Sequence, residues 1–341
     1  MTDMNTAYIA HIVADSPNGP RGDKKFSSKL ARDFSNLMLL CDEHHRLIDR
    51  EGVANHPVDR LRAMKTTHET RIEMLTSLGD DRKSHVVLYG ANIGDHQAQQ
   101  NKTLAFQAMQ PNHYPADVLP IQLGLENSPL TDDDDFMWEV ERKSLNKQFA
   151  NSVKPRLSGG DAHHFSIFAL APQPLLMELG RLLSDIPTAE VYQLHREPQQ
   201  DWKWKAEPVD QVYTVQRPQT RYKCVALNLS LSATITPDRI AAVLSCDHST
   251  WTMTIDSPDN DYLKSRQQLQ AFRQKFRTLL NDIKAEHGQD AEIHVFPAVP
   301  VSVAVEIGRT WVPKADLPMK IYDQNRKRGG FIHAFNIGSI D

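Results

Sequence analysis

From about residue 150 onward the chain carries the segment Phe168-Ala169-Leu170-Ala171-Pro172, followed by Glu178-Leu179-Gly180-Arg181. The pattern recurs 128 residues later as Phe296-Pro297-Ala298-Val299-Pro300, followed by Glu306-Ile307-Gly308-Arg309. Five of the fourteen aligned positions are identical, whereas unrelated segments share about one at average amino-acid usage. Both copies predict a strand, a proline loop and a helix. The repeat therefore indicates either a duplicated half-domain or two similar units shaped alike by packing.

Apolar strands and amphipathic helices alternate on both sides of this repeat. The pattern predicts strands over 165–171, 224–231 and 292–298, and helices over 175–183, 238–244, 262–286 and 301–311. This alternation is typical of a mixed α/β fold. A duplicated Rossmann-like half-domain would place two halves face to face. Their shared cleft would lie at the carboxyl ends of the strands, where open α/β sheets bind ligands.

Composition limits the functional classes that fit the chain. Its 341 residues exceed what one core normally needs, so two domains are expected. No apolar stretch has the length of a membrane span, and the N-terminus lacks the pattern of a signal peptide. Three scattered cysteines, Cys41, Cys224 and Cys246, favour a reducing cytoplasm over a disulfide framework. Because the net charge is −4, any contact with DNA requires a local basic patch.

The chain divides into three predicted regions. Residues 1–80 form a compact unit, and residues 150–341 form the α/β domain. Residues 81–149 are expected to connect the two, because four prolines and the acidic run Asp132–Asp135 interrupt them. A strand over 86–89 and a helix over 97–109 are predicted within that connecting region.

The first eighty residues combine side chains that suit hydrolysis of a phosphodiester. His11 lies toward the end of a predicted strand over 8–13, and Asn36 precedes a second strand over 37–40. Asp42 is expected to cap a helix that carries His45 in its first turn, and a longer helix is predicted over 57–78. A histidine near neutral pKa can deprotonate water, and further polar ligands can hold a divalent ion. Each residue alone is more often an ordinary polar or turn residue, so the interpretation depends on their order.

The order resembles that of the HNH endonuclease family. The resemblance covers about 50 residues and rests on four segments: Ala10-His11-Ile12, Gly19-Pro20-Arg21-Gly22, Asn36–Cys41 and His44-His45 with Asp49. It implies a ββα-metal fold in which His11 is the general base. Asn36 would position the base or the metal-bound phosphate, and His45 would bind the catalytic ion, Mg²⁺, with Asn36 as a further metal ligand.

The resemblance also implies a structural zinc site. Cys41 and His44 would be one half-site for Zn²⁺, and the other half-site would precede His11. Because no cysteine lies there, we expect the chain to lack the N-terminal part of the HNH unit. The alternative for Cys41 is a buried thiol in the core.

The later region resembles the SAVED domain, which is built from two CARF-like halves. The resemblance spans about 150–341 and rests on several segments that surround the repeat: His163–Phe165, Ala171–Leu175, Tyr192–Arg196, Trp202–Trp204, His294–Pro300, Gly308-Arg309, Pro313–Asp316 and Ile321–Gln324. HNH followed by SAVED resembles the effector nucleases of CBASS antiphage defence. That resemblance implies a cyclic dinucleotide ligand of the cyclic GMP–AMP type, ligand-driven homo-oligomers and cleavage of double-stranded DNA.

Candidate ligand-binding residues follow from the expected cleft. Gln173 and Ser302 open the paired helices, where backbone N–H groups favour phosphates. A nucleotide ligand also needs cations near its phosphates and flat side chains on which its bases can stack. The candidates for these roles are Arg196, Lys203, Trp204, Trp251 and Tyr322. Aromatic residues in an α/β domain are more often part of the core, which is the alternative for the last three. Two other functions remain open: a receptor whose HNH unit is inert, and a constitutive HNH enzyme with a DNA-reading domain.

Overall fold

The computed structural model describes residues 7–76, 82–94, 96, 101–125, 128–131, 133–134, 136–158, 164–184, 188–205 and 210–338. The chain divides into two compact units, Met1–Gly79 and Asp80–Asp341. None of the helices in the described ranges combines the length and the apolar character that crossing a bilayer requires.

The first unit contains two antiparallel strands followed by helices. Strand β1 (Ala7–His11) pairs with β2 (Leu37–Cys41), and a short helix α1 (Ser27–Leu30) lies between them in sequence. Helix α2 (Asp42–Arg46) follows β2 directly, and α3 (Val58–Thr76) follows after a π-helical turn. Among the described residues the core is small: Ala10, Ile12, Ile48 and Leu61 are buried together, and Met38, Leu40 and Val58 pack against them. Helix α2 begins after Cys41 rather than after the expected cap Asp42.

The second unit begins with a parallel sheet. Its strands are β3 (Lys83–Gly90), β4 (Tyr114–Pro115), β5 (Ile121–Leu123), β6 (His164–Leu170) and β7 (Ala189–Val191). The order is β4-β3-β6-β7, with β5 also on β3. The helices of this half are α4 (Lys102–Met109), α5 (Met137–Ser152), α6 (Lys154–Ser158) and α7 (Gln173–Leu183). We call this sheet and its helices the first half.

The second half contains a six-stranded mixed sheet. Its strands are β8 (Thr214–Gln216), β9 (Cys224–Ser230), β10 (His248–Thr254), β11 (Glu292–Ala298), β12 (Met319–Asn325) and β13 (Gly330–Ile337). Their order is β13-β12-β11-β9-β10-β8, and only the two outer pairs are antiparallel. The helices are α8 (Pro237–Ala241), α9 (Arg266–His287) and α10 (Val301–Thr310). Ser265 and Gln268 form a capping box, so α9 begins four residues later than the pattern predicts.

The sequence repeat corresponds to a structural repeat. Each copy is a parallel strand followed by a helix, β6 with α7 and β11 with α10, and these two helices pack against each other. A Cβ built on Gly180 would lie 1.9 Å from the carbonyl oxygen of Val305, and one on Gly308 would lie 1.9 Å from that of Met177. Both pairs keep the 128-residue offset, so the two glycines create a symmetric close approach of backbones. The prediction of a mixed α/β fold in which both copies form a strand followed by a helix is confirmed.

A carboxylate and an arginine flank each of these glycines. Glu178 accepts hydrogen bonds from Arg181 at 2.7 Å and from Asn146 at 2.7 Å. In the second copy Glu306 accepts from Arg309 at 2.8 Å. Burial raises the pKa of Glu178, but hydrogen bonding and charge from Arg181 outweigh it and leave the pKa below its ordinary value. The repeated Glu and Arg thus form ion pairs beside the helix crossing, with the glutamate buried in both copies.

The structure corrects the expected connecting region. Strand β3 pairs with β6 over seven residues and lies in the middle of the first sheet. The described residues between 83 and 158 are therefore part of the first half rather than a linker. The helix expected over 97–109 begins at Lys102 in the described residues, with Asn101 as its cap; 97–100 lie outside them.

Candidate functional site

His11 lies at the end of β1, half-buried. Its Nε2 is 3.1 Å from the carbonyl oxygen of Ala31, and the guanidinium of Arg21 donates to the carbonyl oxygen of His11 at 3.4 Å. The side chain and the backbone of His11 are therefore both held by the segment between the two strands. A general base needs this kind of fixed orientation.

The side chain of Asn36 is buried, and both its amide oxygen and its amide nitrogen form hydrogen bonds with backbone groups. Its Oδ1 accepts from the amide of Val13 at 2.8 Å, and its Nδ2 donates to the carbonyl oxygens of Val13 at 2.9 Å and Leu30 at 3.2 Å. The side chain thus fastens the loop that follows His11. Of its two expected roles, this geometry favours positioning the base, since its amide oxygen already has a backbone donor.

His45 is oriented by two neighbours that the sequence did not assign. Its Nε2 lies 3.2 Å from Oδ2 of Asp49, one helical turn later. Its ring stacks on Tyr8 of β1, with 5.4 Å between centroids. Arg21 pairs with the other oxygen of Asp49 at 2.5 Å, and it also donates to the carbonyl oxygens of Ile12 and Ile48. Asp49 and Arg21 therefore connect the His45 helix to the loop after His11.

Cys41 and His44 form an exposed pair. The sulfur is 3.0 Å from Nδ1 of His44, so the alternative of a buried core thiol for Cys41 is wrong. Hydrogen bonding to His44 lowers the pKa of the Cys41 thiol, and hydrogen bonding to Cys41 raises the pKa of His44. A thiolate and an imidazole at this distance can share one zinc ion, although a closed site needs four ligands.

In the second unit, loops of both halves meet at the carboxyl ends of the strands. Gln173, the first residue of α7, accepts from the amide of Val299 at 3.3 Å. The amide and hydroxyl of Ser302 both donate to Oε1 of Gln193, at 3.2 and 2.7 Å. Gln193 follows β7 and was not predicted. Since Ser302 is 1% exposed, it fixes the loop through Gln193, whereas Gln173 is half-exposed.

The segment after β7 carries further polar groups. His195 is buried, and its Nδ1 lies 3.7 Å from Oδ1 of Asp261. Burial and nearby Lys205 lower the pKa of His195. Arg196 and Lys203 are exposed on this segment, and half-buried Trp204 donates to Glu190 at 3.0 Å. The expected ligand-facing roles of Arg196, Lys203 and Trp204 stay predictions.

Two of the aromatic residues predicted to stack on the ligand lie away from the expected cleft. Trp251 is 0% exposed and donates to His287 at 2.9 Å, so it belongs to the core, and its assignment to base stacking is wrong. Tyr322 donates to Nδ1 of His294 or accepts from it at 2.9 Å and lines a 450 Å³ cavity with Cys224 and Glu292. Those two residues begin β9 and β11, so Tyr322 faces the amino ends of the strands and not the expected cleft.

Comparison with known families identifies the second unit. The family described as "SMODS-associated and fused to various effectors sensor domain" (SAVED) matches residues 145–337. The chain belongs to the SAVED family. The SAVED match covers both copies of the repeat and the cleft residues Gln173, Gln193 and Ser302. No curated protein matches the chain.

Solved structures similar to the chain include Cap4 SAVED/CARF-domain receptors. That of Acinetobacter baumannii with the cyclic trinucleotide 2'3'3'-cAAA has a TM-score of 0.49 and 12% identity, with 93% of this chain and 60% of that chain covered. The Moraxella osloensis receptor has a TM-score of 0.42 and 12% identity, with 75% and 50% covered. This SAVED chain thus spans 60% or less of the length of these two receptors.

Proposed function

We propose that the chain is a ligand-activated, metal-dependent DNA endonuclease of antiphage defence. The observation that carries the proposal is the combination in one chain of a SAVED domain with a ββα unit that holds His11 and His45. The SAVED domain senses a cyclic oligonucleotide, and the ββα unit cuts double-stranded DNA. Ligand binding brings protomers together and so raises the activity.

The proposed ligand site is the carboxyl edge where α7 and α10 begin. Each of these helices presents N-terminal N–H groups, which favour phosphate oxygens. The repeat relates the two helices and so pairs two such N-termini, as a cyclic oligonucleotide with repeated phosphates requires. The two positions differ in detail, because Pro174 has no N–H and the amide of Ser302 already donates to Gln193. Gln173 contacts the ligand, and the bond between Ser302 and Gln193 positions the loops around it.

The proposed nuclease site is in the first unit. His11 acts as the general base that takes a proton from water, and Asn36 holds the loop that orients it. His45 and Asp49 offer an imidazole and a carboxylate, a donor set that a divalent ion accepts. Mg²⁺ bound there would neutralise charge on the phosphate and the leaving oxygen. Cys41 and His44 would hold one side of a structural Zn²⁺ site.

A receptor that binds the ligand without cutting DNA is the second candidate. It is favoured by the small core of the first unit and by the Cys41–His44 pair, which provides two of the four ligands that structural zinc needs. Both candidates share the ligand site, so ligand binding alone does not separate them.

Replacing Gln173 by alanine should weaken ligand binding about tenfold, since one charge-assisted hydrogen bond contributes about 1.5 kcal/mol or more. Titration calorimetry with a cyclic dinucleotide and a cyclic trinucleotide would measure this and identify the preferred ring size; we expect the dinucleotide. Gln219→Ala, on an exposed loop, is the matched control. Failure of both ligands to bind, or equal affinity of the two variants, would contradict the assigned site.

A further inference from the structure

Three potential metal ligands converge within the first half of the second unit. His113 precedes β4, His164 begins β6, and Glu190 lies in β7. One ligand atom from each lies within 4.8 Å of the others, and all three side chains are half-buried. The two imidazole rings stack with 3.7 Å between centroids, so binding one ion requires one ring to rotate until both in-plane lone pairs point at it. In the described parts of the chain, no second group of three such residues comes this close.

Neighbouring hydroxyls orient His164. Its Nδ1 is 2.8 Å from Oγ of Ser84, which is itself 2.8 Å from Oγ of Ser166. If Nδ1 carries the proton and donates it to Ser84, the lone pair lies on Nε2. Histidines that bind metals are typically held in this way, with the second ring nitrogen bonded to a fixed polar group.

Glu190 is also held in place by donors. Trp204 and Arg266 donate to its Oε1, and the hydroxyl of Tyr192 donates to its Oε2 at 3.2 Å. A carboxylate has about four acceptor positions, so Oε2 can bind a cation while Oε1 stays paired. The positive charge of Arg266 weakens the attraction for a cation, which favours an ion that binds imidazole nitrogen strongly.

We propose that His113, His164 and Glu190 form a zinc site. Two imidazoles and one carboxylate are a donor set that Zn²⁺ accepts, with water as the fourth ligand. The ion would tie the segment before β4 to β6 and β7. Because His164 is the first residue of β6, the site lies toward the amino end of that strand, whereas the proposed ligand cleft lies at the carboxyl ends. The zinc therefore acts on the stability of the first half.

The test uses the full chain with the first-unit ligands removed, Cys41→Ser, His44→Ala and His45→Ala. Equilibrium dialysis against ZnCl₂ should leave about one Zn²⁺ per chain in this background. Adding His113→Ala and His164→Ala should reduce the ratio to about zero, whereas adding His68→Ala, on the exposed face of α3, should not. An undiminished ratio after loss of both histidines would overturn the site.

Two readouts keep the proposal decidable if a variant folds poorly. Zn²⁺ should raise the melting temperature of the background and leave that of the variant without His113 and His164 unchanged. Crystals of the unaltered chain grown with ZnCl₂ should show an anomalous peak at the zinc edge between the two imidazoles. Crystals that show no peak there would overturn the assignment.

Discussion

Replacing Gly180 by alanine should lower the free energy of unfolding of the second unit by about 3 kcal/mol. The new Cβ would meet the carbonyl oxygen of Val305 at 1.9 Å and the amide nitrogen of Arg309 at 2.9 Å. Both are backbone atoms of α10, so relief requires the two helices to separate. Alanine elsewhere in a helix stabilises it by about 1 kcal/mol relative to glycine. A loss of stability on Gly180→Ala therefore indicates the clash between the two helices. The melting temperature measured by thermal unfolding should fall by about 6–12 °C.

The symmetric variant provides an internal check. Gly308→Ala places its Cβ 1.9 Å from the carbonyl oxygen of Met177 and should destabilise the unit by a similar amount. Gly330→Ala is the matched control, because nothing lies within 4 Å of its added Cβ. Equal stability of the Gly180, Gly308 and Gly330 variants would contradict the close, symmetric crossing of α7 and α10.

Replacing His11 by alanine should reduce metal-dependent DNA cleavage by about 10²- to 10⁴-fold, the usual contribution of a general base. The rate of plasmid cleavage with Mg²⁺ and saturating cyclic oligonucleotide measures this. Ligand affinity should not change, since His11 lies in the first unit and the SAVED match begins at residue 145.

His68→Ala is the control for this variant. His68 lies exposed on α3 of the same unit, so its loss should leave cleavage within about twofold of the unaltered chain. A His11→Ala protein that still cleaves DNA at the original rate would exclude His11 as the base, while leaving the sensor role in place.

The parts of the fold that sequence predicts are those that local pattern and packing determine. The repeat can be recognised in the sequence because each helix must present a glycine to the other, with a glutamate and an arginine beside it. The strand over Glu292–Ala298 and the helix that follows it were predicted closely for the same reason. Strand β3 was missed as a sheet centre because its partner β6 lies about eighty residues later, beyond the reach of periodicity.

Side-chain roles were harder to predict than elements. Asn36 reaches back to Val13, and Arg21 forward to Asp49, and both contacts depend on chain reversals that composition does not reveal. Trp251 was assigned to stacking because an aromatic near a cleft and an aromatic in a core look alike in sequence. Gln193 gave no local signal, because its partner Ser302 lies in the other half.

Plasmid cleavage with and without a cyclic oligonucleotide tests the central claim most directly. With Mg²⁺ present and the chain held at one concentration, the cleavage rate should rise by about tenfold or more when the ligand that binds in calorimetry is added. The rise should be lost in His11→Ala and shifted to higher ligand concentration in Gln173→Ala. Equal cleavage with and without bound ligand, or bound ligand with no cleavage at any concentration of Mg²⁺, would contradict a ligand-activated nuclease.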